Sequence, residues 1–219
     1  MNRSRAVLLV HGLGRTGRVM RPTAAYLEAK GFWTRIFSYP SLRLSVEEAA
    51  ERLGVAIRVF ASASAGAGAG PVHVVAHSLG SLVTRAYAQN QGPGLLGRVV
   101  LLAPPSHGSE VADHLARHPW FRLVYGPAGQ ELRTGPQGAA ARLGPVDFPC
   151  GVLAGTKNNS LIPGRWLPSP HDGRVSVQGA PVEGMADFRQ IPATHNGILK
   201  DPEAMALTAL FLLTGSFGG

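Results

Sequence analysis

The feature that most constrains this chain is the abruptness with which one apolar run gives way to a helix near residue 78. Residues Val72 to Ala76 read as a buried strand, and Leu79 to Asn90 read as a helix, so only His77 and Ser78 lie between them. A reversal that tight forces its central residue into a strained backbone conformation. It also demands small residues two positions to either side, because the helix must pass close to the strand; here they are Ala76 and Gly80. This is the pattern G-x-S-x-G with Ala in the first place. It puts the Ser78 hydroxyl at the apex of the turn as a candidate nucleophile. It also directs the backbone N–H of Leu79, and the positive end of the helix, toward a reacting carbonyl oxygen.

The rest of the chain alternates in the same way. Ala6 to Val10 is a continuous apolar run, as expected of a strand buried on both faces. A helix is predicted from Arg18 to Ala29, closed by Gly31, then a strand from Thr34 to Tyr39 stopped by Pro40. Ser45, followed by Glu47 and Glu48, is a helix N-cap, and that helix is expected to reach Ala61. The stretch 62–70, almost entirely Ala, Gly and Ser, reads as a flexible connector. Further strands are expected at Arg98 to Ala103, Gly151 to Gly155 and Phe188 to Pro192. A helix lies near Glu110 to Arg117, then an aromatic cluster and Gly- and Pro-rich loops, and Asp201-Pro202-Glu203 opens a terminal helix. The implied fold class is α/β: a mostly parallel sheet of about six strands with helices on both faces. One domain is expected over 1–219, with residues 104–149 as a small cap or lid-like insertion. In such sheets the active groups collect at the carboxyl ends of the strands.

Composition narrows the function classes. The net charge is +8, but the arginines are scattered, without a basic run or aromatics placed to stack on bases, so nucleic acid is not an expected partner. The one cysteine, Cys150, excludes an intramolecular disulfide and sits in an apolar run as a small core residue. The N-terminal apolar stretch is too short for a signal peptide, and the run Ala204 to Leu213 falls far short of the ~20 residues that span a bilayer. The expectation is a soluble, cytoplasmic protein. His114 and His118, four apart with Glu110 nearby, have a metal-compatible spacing but read better as a solvated helix face, and no metal is expected.

A second motif follows the first strand: Val10-His11-Gly12-Leu13-Gly14. The two glycines let the backbone fold back so that the N–H of Leu13 faces the nucleophile, giving with Leu79 the pair of donors that acyl transfer requires. Together the two motifs resemble the α/β-hydrolase superfamily, in particular small bacterial serine lipases and esterases with an A-H-S-x-G elbow. Leu102-Ala103-Pro104-Pro105-Ser106-His107-Gly108 is similar to their proline-containing segment, His171 to Ser176 to their acid loop, and Thr194 to Leu199 to their histidine loop. Residues 109–150 carry the least of the resemblance.

The family order is Ser, acid, His. Of the eight histidines, only His195 follows a late strand and precedes the terminal helix. His171 is a weaker candidate because it precedes the acid. Asp172 follows the fifth strand and is flanked by Gly173; Asp147 precedes that strand, and Asp113 lies on a helix. The expected triad is Ser78, Asp172 and His195, with the oxyanion hole at Leu13 and Leu79. The expected acyl pocket is Pro104, Trp120, Phe121, Leu161 and Ile162, with Pro105 beside them. The resemblance implies hydrolysis of carboxylic esters of lipid type through an acyl-enzyme. It implies no cofactor, a small-molecule or lipid ester as partner, and transient contact with a lipid surface. An acyltransferase or thioesterase with the same triad, or a catalytically silent binding module on this fold, are the alternatives.

Overall fold

In the computed structural model, which describes residues 5–65, 70–159 and 163–218, six strands form one sheet. They are β1 (Ala6–Val10), β2 (Trp33–Phe37), β3 (Val72–His77), β4 (Leu96–Leu102), β5 (Cys150–Gly155) and β6 (Asp187–Ile191). Every pairing is parallel, in the order β2-β1-β3-β4-β5-β6. The order reverses between β1 and β3, and a crevice opens at such a switch point beyond the strand ends.

Seven helices cover the sheet among the described residues: α1 (Arg21–Ala29), α2 (Val46–Ala65), α3 (Leu79–Gln91), α4 (Glu110–Leu115), α5 (Pro119–Glu131), α6 (Ala139–Arg142) and α7 (Pro202–Thr214). Alternate strand residues serve opposite faces. Leu8, Val10, Val74, Ala76 and Leu101 join the core under α2 and α3, whereas Val7, Leu9, Val75, Val100 and Leu102 join the core with residues of α1 and α7. This double burial is why β1 and β5 read as unbroken apolar runs. Cys150, the first residue of β5, is buried in the core, and burial pushes its thiol up to about 12, which suits an inert packing residue.

Several boundaries differ from the sequence reading, each for a local reason. Gly17–Met20 forms a 3-10 turn, and α1 begins only at Arg21, where Pro22 fits the first turn. Helix α2 continues to Ala65, so 62–65 is helix rather than connector; Ser64 faces inward and its Oγ donates to the Ala61 carbonyl at 3.0 Å. Its start is a capping box: Glu48 N–H donates to Ser45 Oγ at 3.1 Å and Ser45 N–H to Glu48 Oε2 at 2.8 Å. Helix α5 occupies the span read as an aromatic cluster and loops. Pro119 sits at its N-terminus, and Gly126 (φ 63°) with Pro127 breaks it midway, which hides the helix from a periodicity reading.

The segment around α4, α5 and α6 is stitched to the body, and no separate cap stands apart from it. Arg85 of α3, buried, donates to the carbonyls of Ser106, Leu143 and Gly144 at 3.1–3.2 Å. Phe121, Ala128, Leu132 and Ala139 belong to the same core cluster as α2 and α3.

Asp201 caps α7 as expected, its Oδ1 accepting from the N–H groups of Glu203 and Ala204, both at 3.0 Å. Asp201→Ala should lower stability by about 1 kcal/mol, a fall of roughly 2–4 °C in Tm by calorimetry, with catalytic parameters unaltered.

Candidate active site

Ser78 occupies the junction of β3 and α3 with φ 53° and ψ −124°, a left-handed conformation costing of order 1–3 kcal/mol for a side-chain-bearing residue. The surroundings hold it there. Its N–H donates to the Leu102 carbonyl of β4 at 3.0 Å, and its carbonyl accepts from Ser81 N–H at 2.9 Å. Ser81 Oγ donates back to the Ala76 carbonyl at 3.2 Å. The need for a small residue is sharpest on the helix side: a Cβ at Gly80 would lie 2.8 Å from the carbonyl oxygens of both Val10 and His11. At position 76 the methyl of alanine is accommodated in the core, so the departure from glycine there is tolerated.

Ser78 Oγ lies 3.0 Å from His195 Nε2, and His195 Nδ1 lies 2.7 Å from Asp172 Oδ2. A carboxylate only accepts, so the proton is on Nδ1, which leaves Nε2 to accept from the serine hydroxyl. The second Asp172 oxygen accepts from the N–H groups of Arg174 and Val175, both at 2.8 Å. Burial acts to raise the carboxyl's pKa; the His195 charge and hydrogen bond and these two N–H groups outweigh it, so the net shift is downward. The loops are tied to one another, His195 N–H donating to the Asp172 carbonyl at 3.0 Å. The three residues expected as a triad are therefore brought into series, each nine-tenths buried or more.

His77, read from the sequence only as part of the turn, has its own place here. Its Nε2–H donates to the His195 carbonyl at 2.8 Å, and the two rings lie 4.9 Å apart. The serine turn thus carries the loop that presents the base. His77 Nδ1 is buried, with no hydrogen-bond partner among the described residues.

The loop after β1 is braced in a similar way. His11 Nδ1–H donates to the Gly12 carbonyl at 2.9 Å, and its Nε2 accepts from Tyr39 N–H at 3.2 Å. The His11 and Tyr39 rings stack at 4.5 Å, the Tyr39 hydroxyl donates to the His11 carbonyl at 3.0 Å, and Gly14 N–H donates to Ser41 Oγ at 3.0 Å. A Cβ at Gly12 would stand 2.9 Å from that of Ser78, so only glycine lets this loop approach the nucleophile so closely. Leu13 lines the cavity over Ser78. Leu79 is the first residue of α3, where a backbone N–H has no helical carbonyl to pair with.

That cavity has a volume of about 250 Å³. Phe121 and Pro105 line it, together with Val111, Leu115, Tyr125 and Leu132. Two pocket expectations need correction. Trp120 is 48% exposed on the outer side of α5, stacked near His118. Helical geometry sends Phe121 and Tyr125, four apart, inward and turns Trp120 away. Pro104 is buried but is not part of the cavity wall, whereas Pro105 is. Leu161 and Ile162 lie outside the described residues. The apolar wall comes mainly from α4, which the sequence located, and α5, which it did not.

Comparison with known proteins bears on the fold that carries this site. A family model described as the alpha/beta hydrolase fold matches residues 5–142, more than half of the chain. The chain belongs to the α/β-hydrolase fold family. The match includes the elbow and the loop after β1, and ends before Asp172 and His195. Curated protein sequences yield no match. Among solved structures, the mature form of lipase BlEst2 from Bacillus licheniformis is similar with a TM-score of 0.79 at 17% identity, covering 98% of this chain and 93% of its own. Phospholipase PlaB from Legionella pneumophila, in complex with thio-NAD, has a TM-score of 0.69 at 18% identity, covering 96% of this chain and 58% of its own. Lipase B from Aspergillus fumigatus has a TM-score of 0.63 at 17% identity, covering 96% and 52%.

Among the described residues of this hydrolase-fold chain, no cluster of three or more His, Cys, Asp or Glu side chains is arranged to hold a metal ion, and no helix is long and apolar enough to cross a membrane. His114 stacks on Trp166 at 4.7 Å.

Three buried or half-buried histidines make the fold sensitive to acid. Burial, reinforced by neighbouring His195, pushes His77 down to about 3; burial, with Arg98 and Arg5, pushes His73 down to about 4; burial also lowers His11. Unfolded histidines take up protons near pH 6.5, so below that pH the unfolded chain binds more protons and stability falls. The Asp172 contribution is lost only at lower pH, below about 3.9. Urea midpoints should drop steadily from pH 6.5 to pH 4. His77→Gln should flatten that drop, because an amide keeps a donor for the His195 carbonyl and does not titrate.

Proposed function

We propose that this chain is a serine ester hydrolase acting through an acyl-enzyme. The observation that carries the reading is the hydrogen-bonded series Ser78 Oγ, His195 Nε2, His195 Nδ1 and Asp172 Oδ2, at 3.0 and 2.7 Å, beneath a cavity with an apolar wall from α4 and α5. Ser78 Oγ attacks the ester carbonyl while His195 Nε2 takes its proton and then hands it to the departing alkoxide. Asp172 holds the imidazole in the required tautomer and stabilises the imidazolium. The N–H groups of Leu13 and Leu79 receive the oxyanion, each contributing roughly 3–4 kcal/mol to the transition state. A water then repeats the sequence on the acyl-serine and releases the carboxylate. No step calls on a cofactor.

Three neighbours bear lipase or phospholipase names, which supports an ester of lipid type. Helix α5 adds a further pointer: its inner residues face the cavity while Trp120, Leu123 and Val124 are exposed beside it. That outer face is suited to transient contact with a lipid surface.

A fluorophosphonate should label wild type at Ser78 alone. Ser78→Ala and His195→Ala should each reduce kcat on p-nitrophenyl esters by about 10⁴-fold or more, and Asp172→Asn by somewhat less. Turnover that persists in Ser78→Ala would end the proposal. The cavity is smaller than the roughly 300–1,000 Å³ of a site for drug-sized ligands. In a chain-length series of p-nitrophenyl esters, kcat/KM should therefore peak at octanoate or shorter and decline by about tenfold toward palmitate.

A further inference from the structure

The walls of the crevice around Ser78 are unequal in charge. On the α4 and α5 side they are apolar, through Val111, Leu115 and Phe121. On the side formed by the loop after β1 and the histidine loop they carry Arg15 and Asn196, and Arg174 lines the same cavity from the acid loop. Arg15 and Asn196 are shared with an adjoining cavity of about 360 Å³, whose wall adds Lys200. No Asp or Glu lines either cavity among the described residues.

The carboxylates nearest in function are engaged elsewhere. Asp172 is taken by His195, Asp201 caps α7, and the other ion pairs of the described residues are Arg133–Asp113, Arg142–Glu47, Arg142–Glu131 and Arg189–Asp187. Arg15, Arg174 and Lys200 take part in none of them. An unpaired surface cation is ordinary by itself. Two on the crevice and a third on the adjoining cavity that shares Arg15 with it, with no acid in either wall among the described residues, add their potentials where a ligand must lie. Guanidinium groups also match the oxygen geometry of phosphate.

We infer that the alcohol half of the substrate carries a phosphate, so that the enzyme takes an apolar acyl ester of a phosphorylated polyol. This rests on the serine-hydrolase reading. The acyl chain lies along the α4 and α5 wall, and the phosphate lies toward Arg15 and Lys200. Ser78 Oγ forms its bond to the carbonyl carbon, and the bond from that carbon to the polyol oxygen breaks. The serine proton passes through His195 to the polyol oxygen, the P–O bonds stay intact, and water releases the fatty carboxylate.

The test compares 1-octanoylglycerol 3-phosphate with 1-octanoylglycerol, two esters alike in acyl chain and reacting bond. At low ionic strength kcat/KM should favour the phosphate ester by about tenfold, and 0.5 M NaCl should shrink that ratio. The ratio should fall below one in Arg15→Glu/Lys200→Glu, fall to near one in Arg15→Gln/Lys200→Gln, and be largely kept in Arg15→Lys. A wild-type ratio near one, or a ratio unmoved in both double variants, would overturn the inference and leave the hydrolase reading standing. So would fluorophosphonate labelling of Ser78 in a protein that turns over neither octanoyl ester. If Ser78 is neither labelled nor needed for ester turnover, the hydrolase reading fails and takes this inference with it.

Discussion

Where α3 crosses the end of β1, the two backbones approach so closely that a single methyl at position 80 would meet two carbonyl oxygens at 2.8 Å. That contact sets the geometry of everything above it. It lets α3 start directly beneath the end of β3, and so holds Ser78 in a conformation that a longer turn would have relaxed. The strain persists because the residue's N–H and carbonyl are both tied down, one to β4 and one to the first turn of α3. A glycine on the opposing loop, Gly12, completes the approach by leaving its Cα bare against the serine.

Neutral histidines extend this rigidity outward. His11 and His77 are buried at the ends of the neighbouring strands β1 and β3, and each uses its imidazole as a backbone brace: His11 toward Gly12 and Tyr39, His77 toward His195. Burial holds both uncharged, which preserves the acceptor nitrogen of His11 and avoids a second positive charge beside His195. A dry, pre-oriented surrounding of this kind is what electrostatic catalysis needs, since donors already in place undergo little reorganisation during reaction. The same burial makes the fold vulnerable to acid, so the stiffness of the site and the pH limit of the fold share one cause.

The crevice is asymmetric because its walls come from different parts of the chain. Helices α4 and α5, buried along Val111 and Phe121, contribute the apolar wall. The loops after β1, β5 and β6 contribute arginines and an asparagine. Loops at strand ends are exposed and accept charge at little expense, whereas the buried face of a helix that shares the core does not.

Much of this protein was legible before its structure. The apolar runs of β1, β3 and β5 and the crowding of small residues about Ser78 follow from local chemistry, and the choice of Asp172 and His195 combined their places after late strands with the chain order that the family resemblance implies. The terminal helix was legible too, because Asp201-Pro202 is a strong start signal. Helix α5 was not, since Pro119 and the Gly126-Pro127 break erase its period, and with it went Tyr125 as a cavity residue. The orientation of Trp120 against Phe121, the bracing by Tyr39 and Ser41, and the link from His77 to the His195 carbonyl were equally out of reach. Each joins elements that are distant in sequence or depends on which way a helix is turned. Periodicity reports which residues want to be buried, and strand ends report where reacting groups collect; only the packed structure decides which side chains share a wall and what charge that wall presents.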